Sequence, residues 1–149
     1  MKLVAKDFDI TTLEDELRVD ELCRELLLAF YHERVGAVGE HEATLLASSA
    51  DYYIRDYLIG ARQINPLDPT PGNVRRFAGN WYIVNNLEPD IDELRTHLDG
   101  IRGFYFWLAR EGTIEESFRA TIDAECSALE YYRERIDSFW DISGDGYFT

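Results

Sequence analysis

Apolar side chains recur at intervals of three and four residues along most of this chain, and that spacing constrains the fold more than any other feature. An α-helix completes a turn in about 3.6 residues, so positions three and four apart share a face, whereas a half-buried strand alternates at every second residue. Ile91, Leu94, Leu98, Ile101, Tyr105 and Leu108 keep the helical interval without a miss, and Phe104 and Trp107 broaden that face. Phe118, Ile122, Cys126, Leu129, Tyr132, Ile136 and Phe139 form a second stripe, which predicts one helix of roughly seven turns. No stretch alternates apolar and polar residues over strand length between turn signals. The expected fold class is all-α.

Capping residues and breakers divide the pattern further. Thr11 with Glu14 fits a capping box, in which hydroxyl and carboxylate satisfy free backbone N–H groups reciprocally; it predicts a first helix from Thr11 or Thr12. Val19, Leu22, Leu26 and Phe30 share its face, and Gly36 and Gly39 bracket the turn that ends it. A second helix is expected from about Glu40 to Gln63, with Ala47, Ala50, Ile54, Leu58 and Ala61 on one side. Leu45, Leu46, Tyr52, Tyr53 and Tyr57 widen its apolar surface, which places it centrally. Pro66, Pro69 and Pro71 then forbid a continuous helix. Thr70 followed by Pro71 suits an N-cap and first helical position for a third helix carrying Val74, Phe77, Ala78, Trp81 and Tyr82 and ending by Asn85–Asn86. Asp90 with Glu93 and Thr113 with Glu116 repeat the capping-box spacing, Gly112 suits a C-terminal cap, and ISGDGYFT reads as a loose tail. Short connections make neighbouring helices antiparallel, so the expectation is a compact bundle of about five helices. Residues 1–149 form one domain with one core in this reading, the proline-rich loop 64–72 being the only line of subdivision.

A chain of 149 residues with 46% hydrophobic and 13% aromatic residues can bury a core without a metal or disulfide staple. Its formal charge of -14 repels phosphate backbones and anionic membranes at long range and attracts cationic partners. MKLVAKDFDI is charged too soon for a signal peptide, and no run approaches the ~20 apolar residues of a membrane helix, so a cytoplasmic protein is expected. Cys23 and Cys126 sit among apolar neighbours in helical patterns, which suits buried free thiols, a mutual disulfide being the alternative.

Metal-binding bundles use Glu-x-x-His pairs pointing inward, and none of His32, His41 or His97 has a glutamate three residues before it. A looser set, His32, Glu33, His41 and Glu42, clusters around the first helix–helix turn; His32, His41 and Glu42 are its candidate ligands, and solvated polar residues explain them equally. Asp56 and Glu125 lie among apolar neighbours, so each could be a carboxylate with a raised pKa, but pairing with one of Arg55, Arg62, Arg119 and Arg133, or plain exposure, is the favoured reading. No phosphate loop, cysteine pair or H-E-x-x-H helix is present, no catalytic residue is assigned and no cofactor is expected. The adjacent aromatics offer another kind of site, because neighbours on a helix diverge by about 100° and one of each pair can stay at the surface. Trp81, Tyr82, Phe106, Trp107, Tyr131 and Trp140 are the candidates for an interaction surface.

Residues 53–112 also carry YIRDYLIGARQINPLDPTPGNVRRFAGNWYI and LDGIRGFYFWLAREG. An apolar helix, a Pro/Thr turn, a V-x-x-F helix and a helix ending F-Y-x-W-L-x-x-x-G follow in the order found in the core-binding domain of tyrosine recombinases, which this segment resembles. It is similar too to small acidic bacterial proteins that reuse that helical segment without the catalytic domain. The resemblance implies a helical architecture and, through Arg75 and Arg76, a route to nucleic acid. No arginine set or tyrosine nucleophile of a recombinase matches this chain, and acids outnumber bases by 29 to 15. Residue chemistry and resemblance together point to a non-enzymatic cytoplasmic interaction or regulatory module acting through apolar helix faces, another copy of the chain being one partner it suits. A nucleic-acid-binding domain and a metal- or ligand-binding bundle are the alternatives.

Overall fold

The computed structural model describes residues 3–144. A 3₁₀ turn, Ala5–Phe8, precedes α1 (Leu13–Val38). The cap lies one residue later than the Thr11–Glu14 box: Thr12 Oγ1 accepts from the Asp15 N–H at 3.0 Å, and the Asp15 carboxylate accepts from the Thr11 N–H and hydroxyl. The three-residue interval is kept, and the shorter aspartate reaches what Glu14 does not. α1 runs through Gly36 and turns only at Gly39. It buries Val19, Cys23, Leu27 and Phe30, leaving Leu22 and Leu26 half-buried beside them.

α2 (Glu40–Asp51) packs against α1 and passes unbroken into a π-helical stretch, Tyr52–Ala61. There the Arg62 N–H reaches the Tyr57 carbonyl at 3.1 Å, a five-residue step that widens the turn. Tyr53, Ile54, Tyr57, Leu58 and Ile59 consequently all face inward, and Ala61, expected on the apolar face, is exposed. The loop that follows is tied into the core. Pro66 and Leu67 are buried, Tyr105 Oη donates to the Pro66 carbonyl at 2.8 Å, and Asn65 Nδ2 donates to the Ala5 carbonyl. One buried cluster runs from Phe8 to Ile136 across it.

The third rod joins α3 (Asn73–Arg76), a second π-helical stretch (Phe77–Trp81) and α4 (Tyr82–Val84). It starts at Gly72, whose φ of +107° favours glycine, and not at Thr70, whose hydroxyl donates to Asp68 Oδ1. The cap comes from another helix: the Glu125 carboxylate accepts from the Gly72 and Arg75 N–H groups, both at 2.9 Å. Glu125 is thus an N-cap supplied across the fold, with no arginine as its partner among the described residues. Glu125→Ala is therefore expected to cost about 1–2 kcal/mol, as the loss of a cap does. Urea denaturation should show a lower midpoint at unchanged m-value, and a wild-type midpoint would refute the assignment.

α5 (Ile91–Arg110) is the central rod, burying Leu94, Leu98, Ile101, Phe104, Tyr105, Trp107 and Leu108. Asp90 Oδ2 accepts from the Glu93 N–H as expected, but the return half of the box passes through Tyr82. The Asp90 N–H donates to Tyr82 Oη at 3.1 Å, and that hydroxyl donates to Glu93 Oε1 at 2.5 Å. Gly112, at φ +78°, closes the helix with the Thr113 N–H on the Leu108 carbonyl.

α6 (Glu116–Cys126) begins at Glu115 without a side-chain cap, so the Thr113–Glu116 box does not form; Glu116 instead accepts from Arg119 Nε at 2.7 Å. The second apolar stripe is not one helix. It breaks at Ser127–Ala128, where the Ser127 hydroxyl donates back to the Asp123 carbonyl at 2.8 Å, a contact that bends helices. α7 (Leu129–Gly144) follows, so the described residues form six helical rods, α3 and α4 sharing one, where about five helices were expected. The stripe survives the bend, with Phe118, Ile122, Cys126, Tyr132 and Ile136 all buried. The first three residues of the expected tail continue α7, and the rest lie outside the described residues. Among the described residues there is no strand, and no helix is long and apolar enough to cross a membrane.

Candidate interaction groove

The outward face of α5 has its own helical spacing: Asp99, Arg102, Gly103, Phe106 and Arg110 step by three and four residues opposite the core stripe. These residues form the floor of a groove of about 470 Å³. α1 supplies one wall with Glu33 and Arg34, α6 the other with Arg119 and Asp123, and Leu46 of α2 joins them. Phe106 is 54% exposed in this floor, while Phe104 and Tyr105 beside it are in the core. Trp107, at 9%, shows one edge to the groove and packs its ring against Phe30 and Phe104 at 5.9 Å.

Charge in the groove is organised around arginine. Arg34 grips the Glu33 carboxylate with two N–H groups, at 2.7 and 3.1 Å, and Arg110 reaches the same carboxylate at 3.0 Å. Hydrogen bonds from Arg34 hold the Glu33 carboxyl down at about 2, with Arg110 adding to the effect against a partial burial penalty. Arg102 meets Asp123 at 2.8 Å and the Ser127 hydroxyl at 2.7 Å. A second recess, of about 350 Å³, lies between Leu67, Pro69, Ile114 and Phe118, and among the described residues Glu115 is the only charged one lining it.

The sequence candidates divide sharply. Phe106 and Trp107 are brought together in the groove. Tyr82 is fully buried, acting in the α5 cap, so it is no surface residue, and Trp107 is mostly core. Trp81 and Tyr131 are half-buried; Trp81 stacks on Phe77, and Tyr131 carries the Arg75 guanidinium 4.1 Å above its ring. Trp140 is partly exposed, its indole N–H held by the Pro89 carbonyl. Arg75 and Arg76 are exposed but line no part of the groove, and Arg76 is turned to Asn73.

The metal candidates are not assembled. No group of three or more His, Cys, Asp or Glu residues converges among the described residues, so His32, His41 and Glu42 do not share a site. Asp56 is exposed, and the neighbouring Arg55 pairs with Asp20 and Asp51 instead. His97 lies between the rings of Tyr52 and Tyr82, its buried Nδ1 lacks a partner, and burial pushes its pKa down while Glu93 opposes. Cys23 and Cys126 are free and buried, and burial pushes both thiols up to about 12, so neither is a thiolate near neutral pH.

Apolar periodicity does not reveal the groove residues outside the aromatic list, because it follows the buried stripe of α5 and not the charged one. A signal for them exists in the arginines eight residues apart on one face with a phenylalanine between them. Comparison with protein-family models, with curated proteins and with solved structures finds no match for this chain.

Proposed function

We propose that this protein is an interaction module and that the α1/α5/α6 groove is its working face. The observation that carries this reading is Phe106: a large aromatic side chain stands in solvent at the bottom of a concave, arginine-lined surface. Aromatic and arginine side chains are the types that concentrate binding energy at interfaces, and they do so best in recesses that exclude water. Nothing in the packing of α5 requires phenylalanine at this position, since the core is filled by its neighbours.

A photo-crosslinking residue in place of Phe106, in cells that make the protein, tests the reading. The same residue in place of Leu17, also well exposed but outside the groove, is the control. Covalent adducts are expected from position 106 and not from position 17. Identical adducts from both positions, or none from 106, would remove the groove as the working face. An adduct of twice the chain's mass would identify the partner as a second copy.

A further inference from the structure

Apart from the groove, we infer that His97 is a proton-sensitive latch: taking up a proton at its buried Nδ1 loosens the seam that ties the loop 85–90 and the first turns of α5 to Tyr52 and Tyr82. His97 lies three residues after Leu94 and four before Ile101, so it shares their face of α5. Its imidazole lies 4.9 Å from the ring of Tyr52 on the first π-helical stretch and 5.8 Å from that of Tyr82 on the third rod. Both tyrosines hold the loop. The Tyr52 hydroxyl accepts from Asn86 Nδ2 at 3.2 Å, and the Tyr82 hydroxyl joins the Asp90 N–H to the Glu93 carboxylate. A disturbance at position 97 therefore reaches both ties at once.

The chemistry follows from where a second proton must go. Neutral imidazole has one N–H and can carry it on Nε2, leaving Nδ1 bare, whereas imidazolium donates from both nitrogens. Nδ1 is buried and has no partner among the described residues, so its N–H would stand beside two aromatic rings without an acceptor. Burying a donor unpaired is costly, and burying a charge more so. The titratable groups facing the ring are Tyr52, Tyr82 and, one turn back on α5, Glu93; among the described residues no other charge acts on it. Glu93 favours the cation, but it is exposed, so water and salt screen its pull. Neither tyrosine ring lies flat over the imidazole, the interplanar angles being 39° and 67°. Burial therefore prevails and holds the His97 pKa below its ordinary 6.5. The unfolded chain takes this proton first as the pH falls. Stability is accordingly full above that ordinary value and is lost as the pH falls through it, in a range where carboxylates stay ionised.

The test is an NMR titration of the whole protein from about pH 8 to about pH 5, with amide hydrogen exchange followed over the same range. The His97 Cε1–H resonance is expected to titrate below 6.5, the exposed His32 and His41 being followed in the same spectra. Amide protection over residues 82–97 should be lost on acidification before that of α6, once the pH dependence of intrinsic exchange is divided out. His97→Phe keeps a ring and removes the proton, so protection over 82–97 should no longer fall, whereas H32Q/H41Q should behave as wild type. A His97 pKa at or above 6.5 would overturn the inference. So would a loss of protection spread evenly over the chain, or one that persists in His97→Phe. The titration and the order of loss are read on the wild-type protein, so they decide the matter even if His97→Phe does not fold.

Discussion

Gly100→Ala is expected to destabilise the protein by about 3 kcal/mol, the upper part of the range for overpacking a tight core. Gly100 sits on α5 directly against the backbone of α2. A Cβ there would lie 2.5 Å from the Leu46 carbonyl oxygen, 2.6 Å from Ser49 Cβ and 3.1 Å from the Ala50 nitrogen. Two of these three contacts are backbone, so no side-chain rotation relieves them and the helices must separate. Helix propensity works in the opposite direction, favouring alanine over glycine by about 1 kcal/mol at an ordinary helical position. The steric term wins because it arises at a fixed backbone contact in the centre of the bundle. In a protein of this size about 3 kcal/mol corresponds to roughly 6–12 °C in Tm. Gly36→Ala is the matched control. Gly36 lies inside α1 with nothing within 4 Å of where its Cβ would be, so the same substitution should stabilise by about 0.5–1 kcal/mol. Thermal unfolding of the two variants checks the contrast: equal shifts would mean that α2 and α5 are not in backbone contact at Gly100.

Apolar periodicity makes the rods legible, because a helix must bury one face and the sequence declares which. Ile91–Leu108 is the clearest example. Its stripe corresponds almost residue for residue to what α5 buries, Ile91 alone remaining half-exposed. The departures share a cause: they occur where a tertiary contact competes with a local rule. Thr70–Pro71 is a sound local start for a helix, but the Glu125 carboxylate arrives from α6 and moves the start to Gly72. Asp90–Glu93 is a sound capping box, but Tyr82 inserts its hydroxyl and takes over half of it. The break at Ser127 leaves no mark on the stripe, since a bend that keeps the buried face continuous leaves the hydrophobic pattern unchanged. The π-helical stretches are invisible for a related reason. Spacings of four and five residues, as in Tyr53–Tyr57–Leu58 and Ile54–Leu58–Ile59, look like a broad α-helical face until the backbone hydrogen bonds are seen.

The groove is less legible than the fold. A partner site is a set of residues that the fold leaves uncovered, and single-sequence periodicity reports only what it covers. Of the aromatics at consecutive positions 104–107, only Phe106 is left largely in solvent. The 100° step between neighbours says that one of them must point outward. It does not say that α1 and α6 rise on either side and turn that residue into the floor of a recess.

Phe77→Ala should be the most damaging single truncation in the core, at about 4–5 kcal/mol. Phe77 is fully buried in the second π-helical stretch, with the rings of Tyr53 at 5.2 Å, Tyr57 at 5.5 Å, Tyr52 at 5.7 Å and Trp81 at 5.9 Å. Phenylalanine-to-alanine changes in cores cost about 3–5 kcal/mol through lost transfer energy and the cavity left behind. The surrounding rings place this site at the top of that range, because edge-to-face pairs contribute about 0.5–1.5 kcal/mol each beyond area burial. Collapse around the cavity is resisted from two sides: Tyr53 and Tyr57 are held by the first π-helical stretch, and Trp81 by the same rod as Phe77. Against a typical total of about 5–15 kcal/mol, such a loss removes roughly a quarter or more of the stability. Urea unfolding should show it as a large drop in midpoint. Phe106→Ala, the same substitution on α5, should stay within about 0.5 kcal/mol of wild type because its ring already stands in water. The two phenylalanines thus separate the roles: position 77 should govern the midpoint, and position 106 should leave the midpoint alone. Similar losses of stability at both positions would mean that Phe106 is part of the core, and the groove would lose its floor.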